Sequence, residues 1–340
     1  MAEVNSSEEI TKEVELGMKL EGIFSPIARR RRDFLNRTNP TGPFDKFPRF
    51  VHYTTAEAAL SIIKSKRFWL RNSTCMSDFR EVDHGHDILL AFVSDPAKNK
   101  EFKSALDACW PGAAEEAFTL FDQHWASIKF STYIASFSEH GDDEDVHGRL
   151  SMWRAIRPAN ARVALVFRVP RFGIPNFRLH FNPVSYLTTS EGDRSMHEVV
   201  EQVRANCDFL KSLDRSIIVG SVFYMCLGAV TCMKHEGFKE EREWRAIYST
   251  FDTSDDATVM ERSIETVDGV PQIVCKVPLD KTVSPLLEPL DFARIFDRLI
   301  IGPSSYPWVM YEAFCNALAD SGVQDSGKKV INSTIPIRSP

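Results

Sequence analysis

Residues 50–70 read FVHYTTAEAALSIIKSKRFWL, and this stretch sets the class of fold. Phe50-Val51-His52-Tyr53 has the β-branched and aromatic make-up of a short strand. Thr54 or Thr55 can then cap a helix, because a threonine oxygen accepts hydrogen bonds from free amides of the first turn. Glu57 follows Thr54 at the capping-box spacing. In the helix AEAALSIIKSKR, residues Ala59, Ile62 and Ile63 share one stripe. Phe68-Trp69-Leu70 returns as a second strand.

Further along, residues 97–128 read as amphipathic helix, with Phe102, Leu106, Trp110 and Phe118 apolar. Strand-like runs follow at Tyr133–Phe137, Arg162–Val169, Val184–Tyr186, Trp244–Tyr248, Gln272–Val277 and Arg298–Ile301. Residues 196–234 are mainly helical in pattern. The segment WVMYEAFCNALADSG is a helix with Gly322 as its stop signal, and Val330–Ile337 closes the chain as a strand. Short strands mixed with helices, without regular βαβ alternation, predict an α+β fold of mixed, mostly antiparallel strands with flanking helices. Residues 46–340 are expected as one domain, with residues 1–45 as a helical or flexible appendage. Within that appendage, Glu8 to Leu20 could make a short helix. The run Arg29–Arg32 reads as a solvated helix end, or as a contact for phosphate or an acidic partner.

A 43% hydrophobic content and 24 Phe supply ample material for a core. A net charge of −6 gives no bulk attraction to nucleic acid, though it leaves room for a local basic patch. The seven Cys contain no CxxC pair and are odd in number, so reduced, buried thiols are expected rather than a disulfide framework or a zinc site. The acidic start is unlike a signal peptide, and no apolar run approaches the ~18 residues of a membrane span. A cytoplasmic protein of bacterial style, with no membrane partner, is the expectation.

Four elements are candidates for chemistry. In Phe238–Tyr248 (FKEEREWRAIY), strand alternation puts Glu241, Glu243 and Arg245 on one face. Carboxylates two residues apart lie ~7 Å from each other. That spacing suits one anchor and one electrostatic stabiliser, with the arginine easing their repulsion. The plainer alternative is an exposed edge strand with a charged outer face. His52-Tyr53-Thr54 ends a strand beside a helix start, fit for a ligand or for a core histidine. Ser136-Phe137-Ser138-Glu139 turns two hydroxyls one way, fit for a ribose or a nicotinamide-like amide, or for a strand cap. Asn72–Glu81 is a polar loop with two acids, or an ordinary helix N-cap at Ser77 or Asp78. His84 and His86, with Asp83 and Asp87, could be read as metal ligands, but alternate histidines on a helix point apart, and no metal site is expected. There is no G-x-G-x-x-G, P-loop, H-E-x-x-H or G-x-S-x-G, so dehydrogenase, P-loop NTPase and serine-hydrolase readings lack support.

Taken in order, the pieces HYTTAEAALSIIKSKRFWLRNSTCMSDFRE, SFSE, MW leading into VALVF, VSY, KHEGFKEEREWRAIY and INSTIPIR resemble the bacterial domain-of-unknown-function 2971 family across Phe47 to Arg338. Ser77-Asp78 departs from the family's usual Asn-Asp, and Phe238 from its usual Trp. The order of a strand His, a Ser-bearing strand and a late strand Glu is more distantly similar to ADP-ribosyltransferases. That resemblance implies a split sheet and NAD as substrate, with an ADP-ribosyltransferase acting on a macromolecular acceptor or an NAD glycohydrolase, as a toxin or antiphage effector. It gives His52 to the ribose with Tyr53 or Thr54 nearby, Ser136 and Ser138 to the nicotinamide side, Arg245 to the bound cofactor, and Glu241 or Glu243 to catalysis. Two other classes stay open. One is a metal-dependent nucleic-acid enzyme using Asp78, Glu81, Glu241 and Glu243. The other is a non-catalytic binding or sensor module whose charged face is structural.

Overall fold

A computed structural model describes residues 12, 15–38, 46–75, 81–155, 161–169, 179–250, 259–267 and 269–335. The loop expected around Ser77 and Asp78 lies outside them, and the closing strand expected over Val330–Ile337 is formed over Val330–Asn332, with residues 336 and 337 outside the described residues. The fold is mixed α+β, with a mostly antiparallel sheet flanked by helices. The chain divides into two units. One comprises the described residues within Met1–Phe34, Ser77–Phe130 and Asn182–Phe238. The other comprises those within Leu35–Met76, Ser131–Phe181 and Lys239–Pro340. Two units replace the expected single domain over residues 46–340.

The second unit is organised by a ten-stranded sheet. Its strands are β1 (Arg49–Thr55), β2 (Arg67–Asn72), β3 (Thr132–Glu139), β4 (Arg162–Arg168), β5 (His180–Pro183), β8 (Glu243–Ser249), β9 (Glu261–Val267), β10 (Val270–Pro278), β11 (Phe296–Ile301) and β12 (Val330–Asn332). They run in the order β12-β11-β4-β1-β3-β2-β10-β9, with β8 between β3 and β5. The sheet divides along β3. One edge of β3 pairs with β8 from Thr132↔Ser249 to Ser138↔Glu243. The other edge pairs with β2 at Tyr133 and Ile134, and with β1 at Ser138 and Glu139. β1 and β2 therefore separate around Ala135–Phe137.

The helix joining those two strands, α2 (Ala56–Ser65), forms where the sequence predicts, but its cap is Thr55, so Glu57 is not at the capping-box spacing expected from Thr54. The Thr55 side chain accepts from the Ala58 amide, and Lys66, at φ 49°, ends the helix in the left-handed region. Ala59, Ile62 and Ile63 are buried on the expected stripe. They pack with α10 (Phe292–Ile295) and α11 (Pro307–Asp320) over one face of the sheet, whose strands contribute Phe68, Ala135, Leu165, Phe167 and Ala246. The opposite face has a smaller apolar cluster of Val51, Ala164, Val166 and Ile300 around Trp153 from α6 (Leu150–Ala155). β5 and β9 were not anticipated: the first is only four residues long, and the second alternates Glu, Ser and Thr with few large apolar side chains.

The first unit is helical. It holds α3 (Glu81–Ser94), α4 (Pro96–Asp107), α5 (Ala113–Ser131), α7 (Thr189–Ala205), α8 (Cys207–Lys211) and α9 (Arg215–Thr231). A two-residue parallel ladder joins β6 (Ser185–Tyr186) to β7 (Met233–Lys234). The helix expected over residues 97–128 is two helices, broken where Gly112 takes φ +74° after Pro111. Gly85 is required where α3 crosses α9, since a Cβ there would stand 2.7 Å from the Val230 Cα.

The appendage reading of residues 1–45 needs correction. Ile23, Phe24, Ile27 and Ala28 are buried. The four-arginine run lies on α1 (Pro26–Thr38) and is engaged within this unit. Arg29 donates to the Gly22 and Ile23 carbonyls, Arg30 to Ser185 Oγ, and Arg31 to Asn182 Oδ1 and Glu21. The apolar residues Ile23, Phe24, Ile27 and Ala28, just before the run, give this segment a buried side that a reading of the charges alone misses.

Candidate functional site

Strand β8 begins at Glu243, not at Glu241. Glu241 ends a 3₁₀ turn over Glu236–Glu241, and Arg242 follows at φ 44°. Alternation with a period of two holds only through extended backbone, so one left-handed residue removes Glu241 from the face that Glu243 and Arg245 share. The expectation of three charges on one strand face is corrected to two. The alternative of a solvent-facing edge strand is corrected as well. β8 lies between β3 and β5, with Glu243 5% and Arg245 1% exposed.

Burying these charges requires partners for both. Ser136 Oγ donates to Glu243 Oε1 at 2.6 Å, and Arg245 Nε donates to the same oxygen at 2.9 Å. Arg245 Nη2 reaches Oε2 at 3.4 Å. The register explains the meeting. Ser136 stands opposite Arg245 and Ser138 opposite Glu243, and partners across an antiparallel pair point to one side. Val51 pairs with Ser138, so Tyr53, two residues on, belongs to this polar face too. The Tyr53 hydroxyl accepts from the Arg149 amide at 2.7 Å, and its ring meets Trp153 edge-on at 4.9 Å. Burial pushes this phenol up to about 12, so it is a neutral hydroxyl throughout the ordinary pH range.

His52 and Thr54 alternate onto the opposite, apolar face. His52 packs against Phe68 and Phe137 with ring centroids at 4.7 and 5.7 Å. Its Nδ1 lies 2.9 Å from the Ser136 carbonyl oxygen. A carbonyl only accepts, so Nδ1 carries the hydrogen. That bond falls where β1 and β2 part along β3, and the imidazole bridges the gap. Burial lowers the tendency of His52 to protonate. The sheet stands between His52 and the Glu243 carboxylate. The role of ribose anchor beside a catalytic Glu243, which motif order assigns to His52, is therefore corrected to a core histidine. Among the candidates, the structure puts Ser136, Glu243 and Arg245 in contact, with Tyr53 and Ser138 on the same sheet face. It does not bring His52, Thr54 or Glu241 to that face.

A second polar cluster was not recognised as a site in the sequence. Arg149 is its centre. It donates to Glu144 Oε1 at 2.8 Å and to the carbonyls of Glu139, Glu240 and Glu241 at 2.7, 3.0 and 2.9 Å. Arg242 also reaches Glu144 Oε1, at 2.5 Å. Burial works against the Glu144 charge, but Arg149, the Gly141 amide and Arg242 outweigh it and hold the carboxyl below its usual range. Beside it, Arg49 pairs with Asp142, Asp145 and Asp297. His140 lies beneath, with Nε2 3.0 Å from Asp145 Oδ1, and burial lowers its basicity. The signal was present in the acidic loop GDDEDVHGR (141–149), which puts an arginine after four carboxylates. Its partners Arg49, Arg242 and Asp297 are too distant in sequence to be assigned without the fold.

Among the described residues, no group of three or more His, Cys, Asp or Glu is placed to hold a metal ion. His86 stacks on Trp125 at 4.0 Å, while the His84 ring lies 6.1 Å from that of His235. Asp78, and the side chain of Glu81, lie outside the described residues. No helix among the described residues is long and apolar enough to cross a membrane. Compared with known proteins, the chain matches no family model, no curated protein and no solved structure.

Proposed function

We propose that the face carrying Tyr53, Ser136, Ser138, Glu243 and Arg245 handles the nicotinamide ribose of NAD. In this reading, Glu243 stabilises the cation formed as nicotinamide leaves. The observation that carries it is the fixed carboxylate, whose Oε1 takes both Ser136 Oγ and Arg245 Nε. Of the three members of the motif order, the Ser-bearing strand and the late Glu meet on this face, and the strand His does not. The bond from ribose C1′ to the pyridinium nitrogen breaks, and its electron pair neutralises the ring. Water, or a nucleophile on a macromolecular acceptor, then adds at C1′. A carboxylate held in a dry site favours the positive charge as it develops, without reorganising. Incubating the intact chain with NAD and quantifying free nicotinamide tests this. We expect release that Glu243→Gln lowers by about 100-fold or more in a folded variant. No release, or equal release from the variant, would sink the catalytic reading.

A second reading has its own support in the depth of burial of Glu243 and Arg245. There the pair is a structural ion pair within a binding module. It predicts that Glu243→Gln changes the unfolding midpoint and no turnover.

A further inference from the structure

In the helical unit, the sulfurs of Cys109 and Cys207 lie 2.8 Å apart. Cys109 follows the end of α4, and Cys207 opens α8. Two sulfurs with no bond between them do not ordinarily pack so closely, and these side chains are aimed at each other. The seam around them is held from a second point, where Trp110 Nε1 donates to the Leu210 carbonyl at 2.9 Å. Cys109 is buried, whereas Cys207 is partly exposed. The two residues are 98 apart in sequence, so nothing in the spacing of the cysteines announces the pair.

We propose that Cys109 and Cys207 form a modification site, a dithiol that a hydroperoxide oxidises to a disulfide joining the end of α4 to the start of α8. Cys207, as the accessible thiol, attacks the peroxide. The O–O bond breaks, leaving Cys207 as the sulfenic acid and releasing an alcohol, or water from hydrogen peroxide. The Cys109 sulfur then attacks the sulfenic sulfur, the S–O bond breaks, and water leaves with the Cys109 proton. The two thiols together lose two electrons and two protons to the peroxide. The division of roles follows from burial, which pushes the Cys109 thiol up to about 12 and makes it a poor first nucleophile. The closed loop is long, so the cross-link restricts the unfolded chain strongly. This inference does not rest on the NAD reading.

The test treats the full chain with hydrogen peroxide, digests it with trypsin without reductant, and maps the peptides by mass. The expected product links 104–129 to 205–211. Two of the seven thiols are lost, and the melting midpoint rises by roughly 5 °C, reversed by dithiothreitol. Cys207→Ser is expected to give neither the link nor the rise. Three results would overturn the proposal: seven thiols still titrating, Cys207 carried on to sulfinic acid without a link, or a link to another cysteine. The wild-type peptide map decides the question even if the serine variant does not fold.

Discussion

Glu243 and Arg245 stand two residues apart on β8, almost without solvent contact. Replacing Arg245 takes a charged partner from the buried Glu243, which keeps its bond from Ser136, and such a loss costs up to about 3–5 kcal/mol. Arg245→Met is expected to lower stability by that amount in urea unfolding, and a change within ~0.5 kcal/mol would mean the pair is solvated. His52 makes a different contribution through its bond to the Ser136 carbonyl. His52→Phe keeps the ring packing but orphans that oxygen, a loss of about 1–3 kcal/mol. The same residue gives a pH dependence. His52 and His140 are both shifted below the ordinary value of 6.5. The unfolded chain therefore binds protons that the folded chain refuses, and stability rises with pH. Their contribution is complete above 6.5 and is lost as pH falls below it, through the depressed folded values. The unfolding midpoint should drop between about pH 7 and about pH 5, and His52→Phe should flatten that drop. A midpoint that rises on acidification would contradict the assignment.

Elements show which parts of the molecule local sequence could specify. Thr55→Ala should cost about 1 kcal/mol, read by thermal or urea unfolding, because it removes the oxygen that caps α2. A neutral result would mean that packing alone fixes the start of that helix. This strand, cap and helix were legible because every instruction lies within a few residues. β4 was legible for a similar reason, since RVALVFR is a short, β-branched, buried run. The start of β8 was not. FKEEREWRAIY carries no glycine or proline to mark the left-handed turn at Arg242, so alternation alone extends the strand face two residues too far. The assignment of His52 failed for a different cause. Which side of a sheet a residue faces relative to another strand depends on register, and the register of β1, β3 and β8 is set by pairings across more than 80 residues. Ser136, Glu243 and Arg245 were legible as candidates by residue type, but their joint placement was not.

The whole molecule is two units that share one chain, and the chain enters each of them more than once. The described residues within 1–34 belong with the helical unit, where Ile23, Phe24 and Ile27 are buried. Each such side chain contributes about 1.5–3 kcal/mol when fully buried. Deleting residues 1–34 should therefore lower the melting midpoint followed by far-UV circular dichroism, whereas an unchanged midpoint would restore the picture of a detachable appendage. The functional reading makes a comparable claim about sides: the polar face of the β1–β3–β8 region carries the chemistry, and the apolar face holding His52 does not. Nicotinamide release from NAD, compared between Ser136→Ala and His52→Phe below both melting midpoints, tests that claim most directly. The account predicts at least a ~10-fold loss for Ser136→Ala, from the missing hydrogen bond to Glu243, and a change within about threefold for His52→Phe. Full activity in Ser136→Ala with activity abolished in a folded His52→Phe would contradict it.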